Sequence, residues 1–125
     1  MALATGTTLF ANADPTTSYV ASSWIKVCDS KQVTVQFKYT YNSSTAIVYY
    51  YEWSPDAVTW YTAVNIATTA GANTVTQPIN TIAVSASVNW EDAFYVQDVF
   101  LRVQVKRTGG AVSDTIAITA TLLRI

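Results

Sequence analysis

The chain has 125 residues, a net charge of −1, no histidine and a single cysteine; only 12% of its residues are charged while half are hydrophobic. That length fits one domain with its own core, since folding at this size buries roughly two-thirds of the surface the unfolded chain exposes. The charge leaves no clustered Lys and Arg for nucleic acid, the missing histidine removes His-activated nucleophiles and ordinary zinc sites, and the lone Cys28 removes an internal disulfide.

Residues 1–18, MALATGTTLFANADPTTS, set Leu3, Leu9 and Phe10 among Thr, Ala and Asn. This reads as an extended N-terminal arm, with the body of the protein at 19–125. So polar a segment does not order itself, and it is expected to be held by a neighbouring subunit or along its own domain as an edge strand. It lacks the basic start and long apolar stretch of a secretory signal. No run in the chain reaches the roughly eighteen apolar residues of a membrane span, so no membrane partner is expected.

Residues 19–28 alternate as a first strand, and Asp29, Ser30 and Lys31 turn the chain. Residues 31–41 then alternate without a fault. Val33, Val35, Phe37, Tyr39 and Tyr41 share one face, and Gln32, Thr34, Gln36, Lys38 and Thr40 share the other, the pattern of a half-buried antiparallel strand. Asn42, Ser43, Ser44 and Thr45 read as a hairpin connection into residues 46–53, so these two strands are expected to pair. The second has Ile47, Tyr49, Tyr51 and Trp53 on one side and Val48 and Tyr50 on the other, and calls for cover on both faces. Ser54, Pro55, Asp56 and Ala57 form a turn in which Pro suits the first central position and the Asp carboxylate reaches the backbone two residues on. Residues 58–63 resume as a strand.

An aromatic strand closing in Trp53-Ser54, then Pro55-Asp56, then Thr59-Trp60-Tyr61, resembles the S-x-D-G-x-x-W hairpin of small sandwich domains in tailed-phage structural proteins. The resemblance covers about a third of the chain, and similar hairpins occur in carbohydrate-binding and adhesion sandwiches. Ala57 stands where the pattern usually has Gly. A type I turn that avoids positive φ is therefore expected, because a Cβ is unfavourable there.

Residues 64–77 read as a surface loop. Residues 79–88 alternate again, with Ile82, Val84, Ala86 and Val88 on one face. Residues 89–95, NWEDAFY, read as a connection with two acids and three aromatics. Residues 96–107 place Val99, Leu101, Val103 and Val105 inward, Thr108, Gly109 and Gly110 supply a hairpin, and residues 115–125 close the chain with Ile116, Ile118, Ala120 and Leu122 on one face. About eight strands with no helix or βαβ alternation make an all-β chain: an antiparallel two-sheet β-sandwich, expected as an eight-stranded jelly roll.

Glu52, Asp56, Glu91 and Asp92 are the only carboxylates near aromatics that could pair for glycoside hydrolysis. Each has a plainer reading in a turn, a strand or a solvated loop, and no catalytic residues are assigned. Glu91 and Asp92, with Asp29 or Asp114, could hold calcium only if their loops converged, so neither a metal nor a cofactor is assigned. Tyr39, Tyr41, Tyr49, Tyr51 and Trp53 sit in strand phase and are expected in the core, whereas Trp24, Trp60, Trp90, Phe94 and Tyr95 are freer. Low charge beside four Trp, eight Tyr and four Phe points to a surface covered by neighbours, with Leu3, Leu9, Phe10, Trp90, Phe94 and Tyr95 as interface candidates. The phage resemblance implies a capsid decoration protein on the virion surface, a homotrimer bound to the major capsid protein. A tail or baseplate sandwich and a carbohydrate-binding module are the alternatives.

Overall fold

A computed structural model describes residues 4–110 and 113–123, and for residues 4, 5, 65–69 and 73–76 the backbone alone. The described residues form strands and no helix: β1 (Ala4–Ala13), β2 (Val20–Ala21), β3 (Ile25–Lys26), β4 (Gln32–Thr40), β5 (Ser44–Ser54), β6 (Tyr61–Thr62), β7 (Asn65–Thr69), β8 (Ala72–Thr76), β9 (Asn80–Ala83), β10 (Val88–Tyr95), β11 (Phe100–Gly109) and β12 (Thr115–Leu123). They make an antiparallel β-sandwich. One sheet has the order β1-β12-β4-β10. In the other, β11 and β5 are central, with β2 and β3 sharing the edge beside β11 and β6 and β9 sharing the edge beside β5. β7 and β8 pair only with each other among the described residues.

Period-two alternation builds the core. Val33, Val35, Phe37 and Tyr39 of β4, Leu101, Val103 and Val105 of β11, and Ile116, Ile118, Ala120 and Leu122 of β12 are all buried, and they meet Ile47, Tyr49 and Trp53 of β5 between the sheets. Tyr41, read in the same phase, lies past the end of β4 and is exposed.

Three expectations are corrected by the pairing. β4 and β5 do not pair: β4 lies between β12 and β10, while β5 lies between β11 and the β6/β9 edge, so residues 41–43 cross from one sheet to the other. The same holds for β11 and β12. Asp114 joins the two crossings. Its carboxylate accepts the Tyr39 hydroxyl at 2.6 Å, the Ser43 amide at 2.9 Å and the Asn42 amide, and it is fully buried at 0% exposure. Residues 19–28 do not make one strand either. Ser22 donates its amide to the Val103 carbonyl and accepts the Val103 amide on Oγ, while the Ser23 amide turns to the Leu9 carbonyl in the opposite sheet. The inward phase then restarts with Ile25 and Val27, both buried.

Residues 4–13 of the expected arm are β1, paired with β12 from Ala4↔Leu123 to Ala13↔Ile116 through two irregularities. The edge-strand alternative is thus the one adopted by these residues. Leu9 enters the core at 2% exposure, and Phe10 packs against it. The chain then passes to the second sheet beneath an ion pair between Arg107 Nε and Asp14 Oδ1 at 2.7 Å, with the Arg107 amide on the Thr16 carbonyl. The guanidinium beside Asp14 holds that carboxyl below its usual range.

In the Ser54-Pro55-Asp56-Ala57 turn, Asp56 Oδ1 accepts the amides of Val58 and Thr59, each at 2.9 Å, as expected for an Asp at this place. The expectation that Ala57 avoids positive φ is corrected: it sits at φ 60°. The Ser54 hydroxyl, which accepts the Ala57 amide at 2.9 Å and donates to the Thr59 carbonyl at 2.6 Å, holds it there. The expected loop at 64–77 contains the β7-β8 hairpin, whose two connecting residues, Ala70 and Gly71, are both left-handed at φ 53° and 80°. An Ala at the first of these hid the turn.

Two substitutions have opposite expected signs. Ala57→Gly relieves a left-handed alanine and is expected to stabilise the fold by roughly 0.5–1 kcal/mol in urea unfolding. Gly110→Ala, at φ 81°, places a Cβ 2.6 Å from Asp114 Oδ2 and 2.7 Å from the Ser44 amide nitrogen, and is expected to cost at least about 2 kcal/mol in the same assay.

Candidate functional site

The segment expected as the connection at 89–95 is strand β10, paired with β4 along its whole length from Val88↔Tyr39 to Tyr95↔Gln32. Alternation therefore decides where its side chains go. Trp90, Asp92 and Phe94 turn into the space between the sheets, and Glu91 and Tyr95 lie on the other face. The period was present in NWEDAFY, but an aspartate in the apolar phase concealed it.

Asp92 has a built environment. Its Oδ2 accepts the Tyr51 hydroxyl at 2.7 Å and the Tyr49 hydroxyl at 2.8 Å, and Trp90 Nε1 donates to the Tyr49 hydroxyl at 3.2 Å. Around this polar centre the rings interlock. Trp90 stacks on Phe37 at 5.0 Å and 7°, and Phe94 meets Tyr51 at 4.8 Å and Trp53 edge-on at 5.7 Å. Trp90 and Phe94, read as contact residues, thus serve the inner packing of this edge.

Beside the cluster, between β10 and β6, lies a cleft of about 320 Å³ bordered by Tyr51, Trp53, Tyr61, Phe94, Gln97 and Asp98. Tyr61 stands 58% exposed on its wall. The sequence marks Tyr61 only as part of the hairpin motif and does not mark Asp98, because the cleft exists only once β6 and β10 face each other from separate sheets.

The outer face of the second sheet is lined by paired charges and rings. Glu52 Oε1 accepts Arg102 Nε and Gln104 Nε2, both at 2.8 Å, and Arg102 lies 4.3 Å from the centre of the Trp60 ring. Lys106 lies 4.6 Å from the Tyr19 ring, which meets Tyr50 edge-on at 5.0 Å. Trp24 packs against Phe100 and stays 51% exposed. These side chains partly shield the Tyr50 side of β5.

The carboxylates considered for chemistry are dispersed by the same alternation. Asp92 is inside, Glu52 is on the outer face of its sheet, Glu91 is on the outer side of β10, Asp56 caps a turn and Asp114 holds the crossings. Among the described residues no three His, Cys, Asp or Glu side chains gather as a metal site. Of the interface candidates, Tyr95 is 68% exposed, Leu9 is in the core, Phe10 is half-buried, and Leu3 lies outside the described residues. No described helix is long and apolar enough to cross a membrane.

No family model matches the sequence, and no curated protein matches it. Among solved structures, the chain is similar to the SPBc2 prophage-derived protein YomS, with a TM-score of 0.54 and 15% sequence identity over 98% of this chain and 95% of that one. The two share an all-β fold along nearly their full lengths.

The inner tyrosines make stability sensitive to alkali. Burial first, and then the bond to Asp114, push the Tyr39 hydroxyl up to about 12; burial and the bond to Asp92 raise Tyr49 and Tyr51 further. Unfolded tyrosines release their protons at about pH 10 while the folded ones hold theirs, so the stabilisation is complete below that pH and is lost as pH rises from there through the folded value of about 12. The urea midpoint is expected to drop between about pH 10 and about pH 12, and to drop less in Tyr49→Phe.

Proposed function

We propose that the chain is a non-enzymatic structural protein of a tailed-phage particle, a decoration protein that cements the outer surface of the capsid as a homotrimer on the major capsid protein. The observation that carries the proposal is a charge-poor sandwich on whose surface the Trp24 and Tyr95 rings stay 51% and 68% exposed. Large rings on a rigid frame are the side chains that dominate protein interfaces. The Trp53-to-Tyr61 hairpin, which resembles that of phage sandwich domains, and the full-length likeness to a prophage-derived protein support a phage setting.

The strand path supports the same reading. Counting β2 with β3 and β6 with β9 as shared positions and leaving aside the separate β7-β8 hairpin, successive strands change sheets except from β5 to β6, which pair within one sheet, and the first and last lie side by side. We infer from this path that the sandwich is wound as a jelly roll. The mechanism is mechanical. Copies bound only to the assembled shell bury apolar surface across its junctions and raise the free energy of taking it apart, by the same mass action that stabilises any protein toward a ligand it binds only when folded. Neither nucleic acid nor membrane has a part in it.

The test is to mix purified protein with preformed shells lacking it. The expected result is a trimer by light scattering that sediments with the shells and raises the temperature at which they open, with Trp24→Ala or Tyr95→Ala weakening attachment. A monomer that stays in the supernatant, or one that binds isolated tails instead, overturns the proposal.

A further inference from the structure

We propose that the cleft between β10 and β6 is a binding site for a neutral pyranose sugar, an assignment independent of where the protein resides. Its size, about 320 Å³, falls at the small end of the roughly 300–1,000 Å³ that small-molecule sites occupy. Its walls are rings, Tyr51, Trp53, Tyr61 and Phe94, and its rim carries the Gln97 amide and the Asp98 carboxylate. Ring faces beside a few hydrogen-bonding groups match a pyranose, which shows one C–H face and a belt of hydroxyls.

The rings are fixed in advance. The Tyr51 hydroxyl is spent on Asp92, so its ring cannot turn away, and Phe94 is wedged between Tyr51 and Trp53. A sugar entering the cleft orders little besides itself and Tyr61. On the rim, Asp98 Oδ1 accepts the Val99 amide at 2.8 Å, which holds the carboxylate in place for hydroxyl donors. The sign of the charge narrows the class. Among the described residues Asp98 is the one charged side chain bordering the cleft, so uronic, sialic and phosphorylated sugars meet repulsion and neutral hexoses do not.

The experiment titrates the intact protein with glucose, galactose, mannose, N-acetylglucosamine and their β-1,4-linked dimers, with glucuronate as the acidic control, and follows amide and indole resonances. A neutral sugar is expected to bind with a dissociation constant on the order of millimolar and to move the Trp53 indole and the Gln97 and Asp98 amides. Tyr61→Ala, at an exposed position, is expected to leave the melting temperature unchanged and to weaken binding about tenfold. Asp98→Asn is expected to admit glucuronate. The proposal is overturned if no neutral sugar moves these resonances at tens of millimolar, if the shifts fall at Trp24 or Tyr95 instead, or if Tyr61→Ala binds as well as the parent. A negative result leaves shell attachment untouched, because attachment is read on different residues.

Discussion

Two stretches of chain must leave one sheet and enter the other at the same corner, and a single carboxylate holds both. Asp114 is wholly removed from solvent, and a buried anion is tolerated only when its lone pairs are satisfied. Here the Tyr39 hydroxyl comes from β4, and the amides of Asn42 and Ser43 come from the crossing that follows it. Gly110 makes room, since even a methyl group there would run into Ser44 and the carboxylate. Without this clamp, nothing in the polar run 42–45 would stop β4 from folding back on β5 as a local hairpin. The clamp thus favours a sandwich over a meander.

That explains which parts of the fold were legible in the residues. Strands with an uninterrupted two-residue period, β4, β11 and β12, were legible in location and in facing, because burial on one side leaves only one phase that works. Pairing was not. A four-residue polar link is compatible with a hairpin or an arch, and the residue that decides between them lies some seventy positions away in sequence. Ser22 shows the same limit on a smaller scale, for its hydroxyl replaces one rung of the ladder and lets the strand change phase.

The candidate site was hidden for a related reason. Asp92 looks like one of two acids in a solvated loop until β10 is paired with β4, after which it stands between two tyrosine hydroxyls. A polar residue in an apolar phase is ambiguous from sequence, whereas in the fold it is the hub that orients the rings around it. The exposed rings were legible in kind, from composition, but their separation into an inner cluster, an edge cleft and an outer face belongs to the topology.

The antiparallel register of β1 and β12, which sets Ala4 beside Leu123, has a mechanical side. Tension applied between these two points peels the pair apart one rung after another, the weakest way to load a ladder. Force entering through the broad outer surfaces is instead shared by all rungs at once. A protein with this seam withstands stress when it is gripped by its flanks and unzips when it is tethered by its extremities.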